Sequence, residues 1–142
     1  MKWNRLGRSL RRLAVCLIAL GSCNKGPSVG PCVPVEGKVT LGGKRLVGGT
    51  ISFIPLEGEP NAPRPEGIID DRGNYSLKTA GKDGAPAGEY RVIVTTSGAD
   101  KTQDEVFDSR YSHTENSPLK REVTESAPAG TYDIELVPVR RR

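Results

Sequence analysis

Reactive side chains are scarce in this sequence, which has three cysteines and one histidine among its 142 residues. Cys16 lies inside an apolar run, Cys23 closely follows that run, and Cys32 lies further along the chain. A thiolate is a nucleophile that can be modified covalently, so the cysteines are the first candidates for chemistry. A multi-histidine metal site needs more than the single His113. His113 stands in the polar stretch DSRYSHTENS, and we expect it to be a solvated loop residue.

Residues 1–22 have the order of a secretory signal peptide. Five basic residues come first, followed by the apolar run LAVCLIAL (13–20) and by the small residues Gly21 and Ser22. Such an apolar run enters the bilayer while the basic residues stay on the cytoplasmic side. In a helix this run covers about 12 Å, whereas the hydrocarbon core is ~30 Å thick. We therefore expect a cleaved signal; an N-terminal core strand is the alternative, disfavoured because the run lacks β-branched alternation.

The end of this segment, Leu20-Gly21-Ser22-Cys23, resembles the lipobox of bacterial lipoproteins: an aliphatic residue, two small residues and a cysteine. In that family the cysteine thiol is diacylglycerylated, the signal is cleaved before it, and the new N-terminus is acylated. The resemblance implies lipidation of Cys23 and attachment to a membrane, to which each buried methylene contributes about 0.8 kcal/mol. By the sorting rule of better-known Gram-negative bacteria, Asn24 implies the outer membrane, with the protein facing the periplasm or the exterior.

Cys32 allows an alternative to the lipidation of Cys23. If Cys16 leaves with the signal and Cys23 carries lipid, Cys32 is the odd thiol left. In an oxidising compartment Cys23 and Cys32 could instead form a disulfide, although it would close only a short loop. After Cys23, the stretch to residue 34 is NKGPSVGPCVP, rich in Gly, Pro and Ser, so we predict that residues 23–34 are a flexible tether.

The chain has a net charge of +4, and its excess of positive charge comes from the two ends. Five of the 21 basic residues lie in residues 1–22, which hold no acid, and three more form the basic tail 140–142. Residues 23–139 therefore carry 13 basic and 17 acidic residues. A body of this sign lacks the basic face that binds phosphate backbones, so we expect no nucleic-acid partner.

Short runs of alternating apolar residues, separated by turn residues, predict a folded domain over residues 35–139. The seven runs are VEGKVTL (35–41), TISFIPL (50–56), EGIID (66–70), YSLKT (75–79), GEYRVIVTT (88–96), LKREVTE (119–125) and TYDIELVP (131–138). Alternation of period two places every second side chain on one face, for example Tyr90, Val92 and Val94. No window shows a helical apolar stripe. We therefore predict an all-β domain, a single seven-stranded antiparallel Ig-like sandwich.

Three segments resemble the carboxypeptidase regulatory-like, transthyretin-like class of Ig-type sandwiches: VEGKVTLGGKRLVGGTISFIP, EGIIDDRGNYSLKT and GAPAGEYRVIV. The shared patterns are G-x-x-L-x-G, D-x-x-G-x-Y and G-x-Y-x-V. With the lipobox and the downstream SPLKREV and YDIEL, the chain is similar to small secreted lipoproteins of planctomycete-type bacteria. These motifs consist of structural glycines and aromatics, so the resemblance implies a fold and no enzymatic role.

Two turns contain residues that could bind a ligand. Asp70, Asp71 and Asn74 place oxygen atoms around one turn, but Asp and Asn favour turns for conformational reasons, and the spacing is not that of an EF-hand. We expect residues 71–74 to be a hairpin connection with Gly73 at positive φ. GGKRLVGG (42–49) lacks the Gly-Lys-Ser/Thr order and the helix of a phosphate loop, so we expect a turn between strands. No metal or cofactor is predicted.

Residues 97–118 form the longest polar insertion. A loop of this length is usually functional or mobile, so contact with a ligand or partner is one interpretation. The other, which we favour, is that Phe107 and Tyr111 pack over one end of the sandwich.

These observations predict a non-enzymatic, lipid-anchored and monomeric envelope protein whose sandwich is a binding or structural module for an envelope protein or glycan. The alternative is an adhesion module at the cell surface that binds carbohydrate or protein. Sugar stacking would then need exposed rings among Tyr75, Tyr90, Tyr111 and Tyr132, most of which alternation places in the core. A hydrolase is the least favoured class, because no set of nucleophile, base and orienting residue is visible.

Overall fold

The computed structural model describes residues 29–59, 61–96 and 106–139, so the predicted signal, Cys23 and the basic tail lie outside the described residues. The strands are β1 (Cys32–Val33), β2 (Glu36–Leu41), β3 (Lys44–Arg45), β4 (Thr50–Pro55), β5 (Glu66–Ile68), β6 (Asn74–Ser76), β7 (Lys78–Thr79), β8 (Lys82–Asp83), β9 (Ala85–Pro86), β10 (Gly88–Thr95), β11 (Val106–Phe107), β12 (Lys120–Val123), β13 (Ile134–Leu136) and β14 (Pro138–Val139). One 3-10 turn, Ser109–Ser112, precedes β12.

The larger sheet has six antiparallel strands in the order β12-β10-β4-β5-β7-β8. Its centre is the long pair β10 and β4, in register from Tyr90↔Pro55 to Thr95↔Thr50. Every second side chain of β10 from Tyr90 to Val94 points into the core, and the side chains between them are less buried, which suits a half-buried strand. Tyr90, Val92 and Val94 are at most 4% exposed, as the alternation predicts.

The smaller sheet is centred on β2, which pairs with β13 and β3 and, at its start, with β6. The pair β2 and β13 is parallel, with Ile134 opposite Val39 and Leu136 opposite Leu41. The prediction of a wholly antiparallel sandwich is therefore wrong at this pair. Side chains alternate with period two in both kinds of sheet, so the sequence pattern carries no information on strand direction.

Inward residues of the two sheets form one hydrophobic core. The all-β architecture and the several antiparallel sheets are consistent with a β-sandwich. Each of the seven predicted runs contains a strand, but the described chain has fourteen strands, because runs 75–79 and 131–138 divide and further two-residue strands occur. A two-residue strand is too short to show alternation, so the sequence could not indicate it.

Two of the predicted turns are confirmed. Leu41 pairs with Lys44 across Gly42 and Gly43, both at positive φ, so the first two residues of GGKRLVGG form a tight turn between β2 and β3. The rest of that stretch holds β3 and the connection from β3 to β4. Gly73 has φ 81°, as expected for the turn at residues 71–74. The prediction of a hairpin there is wrong, because β5 pairs with β4 and β7, whereas β6 pairs with β2 of the smaller sheet. After the turn the chain thus crosses to the smaller sheet before it returns to the larger one as β7.

Candidate functional site

The lipidation site predicted at Cys23 lies outside the described residues, which begin at Val29. Within the described ranges, no helix has the length and apolar character needed to cross a membrane. Among the described residues, those closest in sequence to Cys23 form the segment from Val29 to Val33, which we call the docked segment.

The docked segment lies against the folded body. In β1, Cys32 pairs with Pro86 and Val33 with Ala85. The Lys82 ammonium donates a hydrogen bond of 2.9 Å to the Val29 carbonyl. Residues 23–34 were predicted to be a flexible tether, yet their last part is a paired strand that contacts the body.

Gly84 makes this docking possible. Its φ is 94°, and a Cβ atom on it would collide with the Val33 carbonyl oxygen. The backbone around Gly84 is fixed from the other side, because its N–H donates to the Leu77 carbonyl at 2.7 Å and its carbonyl accepts from the Thr79 hydroxyl at 2.6 Å. A glycine at this position therefore allows two backbones to approach closely.

Two concavities flank the docked segment and share Gly30, Pro86 and Ala87. The first has a volume of about 520 Å³, and the second, which Cys32 lines, about 460 Å³. Their walls are largely apolar. The charged residues that line them are all acidic: Glu57, Glu89 and Glu125.

Tyr90 links the first concavity to the core. Its hydroxyl donates a hydrogen bond of 2.8 Å to the Pro86 carbonyl, so the polar end of the ring is already engaged. Burial raises the pKa of Tyr90, and the neighbouring Cys32 thiol acts in the same direction. The phenol is therefore a structural donor beside β9.

The Asp70 carboxylate caps its own turn. Its Oδ1 accepts hydrogen bonds of 2.8 Å from the backbone N–H groups of both Arg72 and Asn74, and Oδ2 accepts a longer one from the Asn74 amide. The hydrogen bond from the Asn74 backbone is the main cause that lowers the pKa of Asp70. The turn-capping interpretation of Asp70 and Asn74 is thus confirmed. Within the described ranges no cluster of three or more potential metal ligands occurs.

His113 is exposed, as predicted, and its Nδ1 lies 2.7 Å from the Ser109 carbonyl oxygen. Close by, the Phe107 and Tyr111 rings meet edge to face at 6.3 Å, and Tyr111 is 3% exposed. The Ser112 hydroxyl donates to the Val94 carbonyl at 2.9 Å. The described part of the predicted loop 97–118 is therefore packed against β10, in agreement with the packing interpretation.

The four tyrosines are all buried, as alternation predicted for most of them; their exposed fractions are 3–6%. Tyr75 donates a hydrogen bond to the backbone of Tyr132. A Cβ on Gly37 would lie 2.5 Å from that same Tyr132 carbonyl oxygen, so Gly37 leaves room for the contact. The sequence singled out neither Gly37 nor Gly84 individually, because the backbone atoms that exclude a Cβ belong to distant residues.

Comparison of the chain with protein-family models, with curated proteins and with solved structures finds no match. The resemblance of its motifs to a family of sandwiches therefore stays a prediction. The candidate site for which the structure offers geometry is the docked segment and the concavities beside it.

Proposed function

We propose that the protein is a non-enzymatic lipoprotein of the cell envelope, anchored through lipid on Cys23 and favouring the outer membrane. The observation that carries this proposal is the sequence Leu20-Gly21-Ser22-Cys23 directly after a basic start and a short apolar run. The described body adds support, because two of its residues that could take part in a reaction have structural contacts instead. Asp70 caps a turn, and His113 contacts the Ser109 carbonyl.

For the fold type we propose a transthyretin-like, carboxypeptidase regulatory-like sandwich of the planctomycete lipoprotein kind. This fold type is supported by the motif residues, which shape a turn and contact distant parts of the chain. Asp70 and Gly73 shape the turn between β5 and β6, and Tyr75 reaches across to the last part of the chain. Such a module supplies a rigid body for binding or structure.

An adhesion module is the second candidate, favoured by the concavity of about 520 Å³ beside Tyr90, a size common for ligand sites. Stacking on sugars requires exposed aromatic faces. Since all four tyrosines are buried, the groove suits a protein segment better than a glycan.

The test compares two cysteine variants of the full chain expressed in a diderm bacterium. We expect the wild type and Cys32→Ala to fractionate with membranes and to carry a thioether-linked diglyceride at a mature N-terminus, residue 23. We expect Cys23→Ala to lose the lipid and to accumulate unprocessed. Because both variants remove one thiol, the comparison isolates the role of position 23.

Two results would contradict the proposal. One is a Cys23→Ala protein that is processed and membrane-bound like the wild type. The other is a mature wild-type mass without lipid and two hydrogens short, which would indicate a Cys23–Cys32 disulfide instead.

A further inference from the structure

The docked segment brings one end of the body close to the proposed anchor. We propose that this end, which we call the tether end, faces the membrane surface. This inference rests on the proposed lipid at Cys23 and adds an orientation to it.

Strand β10 defines the two ends. It begins at Gly88, two residues after Pro86, which pairs with Cys32 of the docked segment. It finishes at Thr95, whose neighbour Val94 accepts the Ser112 hydroxyl from the packed 3-10 turn. The tether end and the 3-10 turn therefore lie at opposite ends of one strand.

The docking shortens the reach of the anchor. From Cys23 to Val29 the chain has six residue steps and spans at most about 22 Å, at roughly 3.3–3.6 Å per residue. Strand β10 alone, with its 8 residues, spans seven steps from Gly88 to Thr95, about 23 Å at roughly 3.3 Å per step. Even when fully extended, a tether held at Val29 is no longer than β10, so it keeps the tether end nearer to the membrane than the far end.

Without docking, the limit would disappear. A tether free up to Val35 has twelve steps and could span about 40 Å, more than the length of β10. Orientation therefore depends on the contacts of the docked segment rather than on the length of the tether in sequence.

Several independent contacts keep the segment in place. Val33 packs against the hydrophobic core, and its carbonyl sits directly over Gly84. Cys32 pairs with Pro86, and the Val29 carbonyl accepts from Lys82. These contacts are spread over the whole segment from Val29 to Val33.

The chemistry of the tether end disfavours its insertion into the lipid. Glu57, Glu89 and Glu125 are the charged groups of its concavities. Burying a carboxylate in hydrocarbon is costly, so this end is expected to stay in the aqueous layer above the headgroups.

The experiment measures the distance from a membrane of two labels, one near the start of β10 and one just after its end. The full-length precursor with Cys32→Ser is matured in cells, and Glu89→Cys or Thr96→Cys supplies one free thiol for a fluorophore, both positions being exposed. These positions are about 23 Å apart along the strand direction. The lipidated protein is inserted into phosphatidylethanolamine–phosphatidylglycerol vesicles that contain an energy acceptor on a headgroup. We expect stronger transfer from position 89 than from position 96.

A matched variant lengthens the tether without changing any described residue. Twelve Gly and Ser residues inserted between Ser28 and Val29 raise the reach to about 60 Å. The difference between the two labels should then shrink, because the body can turn over. Equal transfer from both positions with the native tether, or stronger transfer from position 96, would overturn the orientation.

Intact mass, recorded before labelling, distinguishes a failure of the proposed lipidation from a failure of the proposed orientation. A mature protein without diglyceride on Cys23 overturns the proposed function, and the inference that depends on it falls with it. A lipidated protein whose labels show no difference overturns the orientation alone.

Discussion

The hydroxyl of Tyr75 donates a hydrogen bond of 2.6 Å to the backbone carbonyl of Tyr132, 57 residues further along the chain. The bond is buried, and it joins β6 to the residues that lead into β13. The Tyr132 hydroxyl in turn accepts from the Thr124 N–H at 3.3 Å. Tyr75 of β6 and Tyr132, which precedes β13, thus tie together parts of the chain that only the tertiary fold brings close.

Replacement Tyr75→Phe removes this bond while keeping the ring. The Tyr132 carbonyl loses a buried donor, so we expect the free energy of unfolding to fall by about 1–2 kcal/mol in urea denaturation at neutral pH. A variant as stable as the wild type would show that the bond adds no net stability.

The same residue predicts a loss of stability in alkali. Burial raises the pKa of Tyr75 above its ordinary value of 10.0. Its contribution is complete below pH 10 and is lost as the pH rises toward the folded-state pKa, because the unfolded state releases its proton first. Wild-type stability should therefore fall above about pH 10 more steeply than that of Tyr75→Phe. Parallel slopes for the two proteins would contradict this assignment.

Asp70 predicts the opposite pH dependence. Hydrogen bonds, chiefly from the Asn74 N–H, lower its pKa below the ordinary value of 3.8. The stabilisation is complete above that value and is lost as the pH falls through the folded-state pKa. Asp70→Asn should be less stable at neutral pH and should lack this acid-dependent loss in a series of urea titrations.

Asp71→Asn is the matched control, since it makes the same change of charge at the next residue, whose carboxylate takes no part in those hydrogen bonds. We expect it to keep the acid-dependent loss. An identical response of the two variants would mean that general charge, not the turn, causes the effect.

Alternation predicted which residues face inward, because a half-buried strand selects apolar side chains at every second position. Turn chemistry predicted the positive φ of Gly73, since Asp and Asn beside glycine mark such turns. These features depend on residues close together in sequence, and they were therefore accessible without a structure.

The remaining features depend on contacts between distant residues. The parallel pairing of β2 with β13 and the docking of β1 on β9 join segments that have no shared pattern. Likewise, position 84 needs a glycine because a Cβ there would collide with the Val33 carbonyl oxygen, which only the folded chain brings near. The docked segment was consequently predicted to be tether.

Phe53 links the two sheets through the core. It is fully buried in β4, and its ring lies 5.8 Å from that of Tyr90 and 6.5 Å from that of Tyr75. Phe53→Ala should lower the free energy of unfolding by about 3–5 kcal/mol through lost burial and a cavity. Ile68→Ala, at a side chain that is 78% exposed, should change it by no more than about 0.5 kcal/mol. Similar effects of the two changes, measured by urea denaturation, would contradict a core centred on Phe53.

Gly84→Ala tests whether the close approach to Val33 holds the docked segment. Gly81→Ala is the matched control, because Gly81 has φ 84°, near the 94° of Gly84, but a Cβ there would meet nothing within 4 Å. The control measures the cost of alanine at positive φ, about 1–2 kcal/mol. Gly84→Ala should cost more, since the Val33 backbone must also move away. Hydrogen exchange at the Val33 and Ala85 amides should accelerate in Gly84→Ala and stay unchanged in Gly81→Ala. Equal costs with unchanged exchange in both variants would show that the segment docks without depending on this contact.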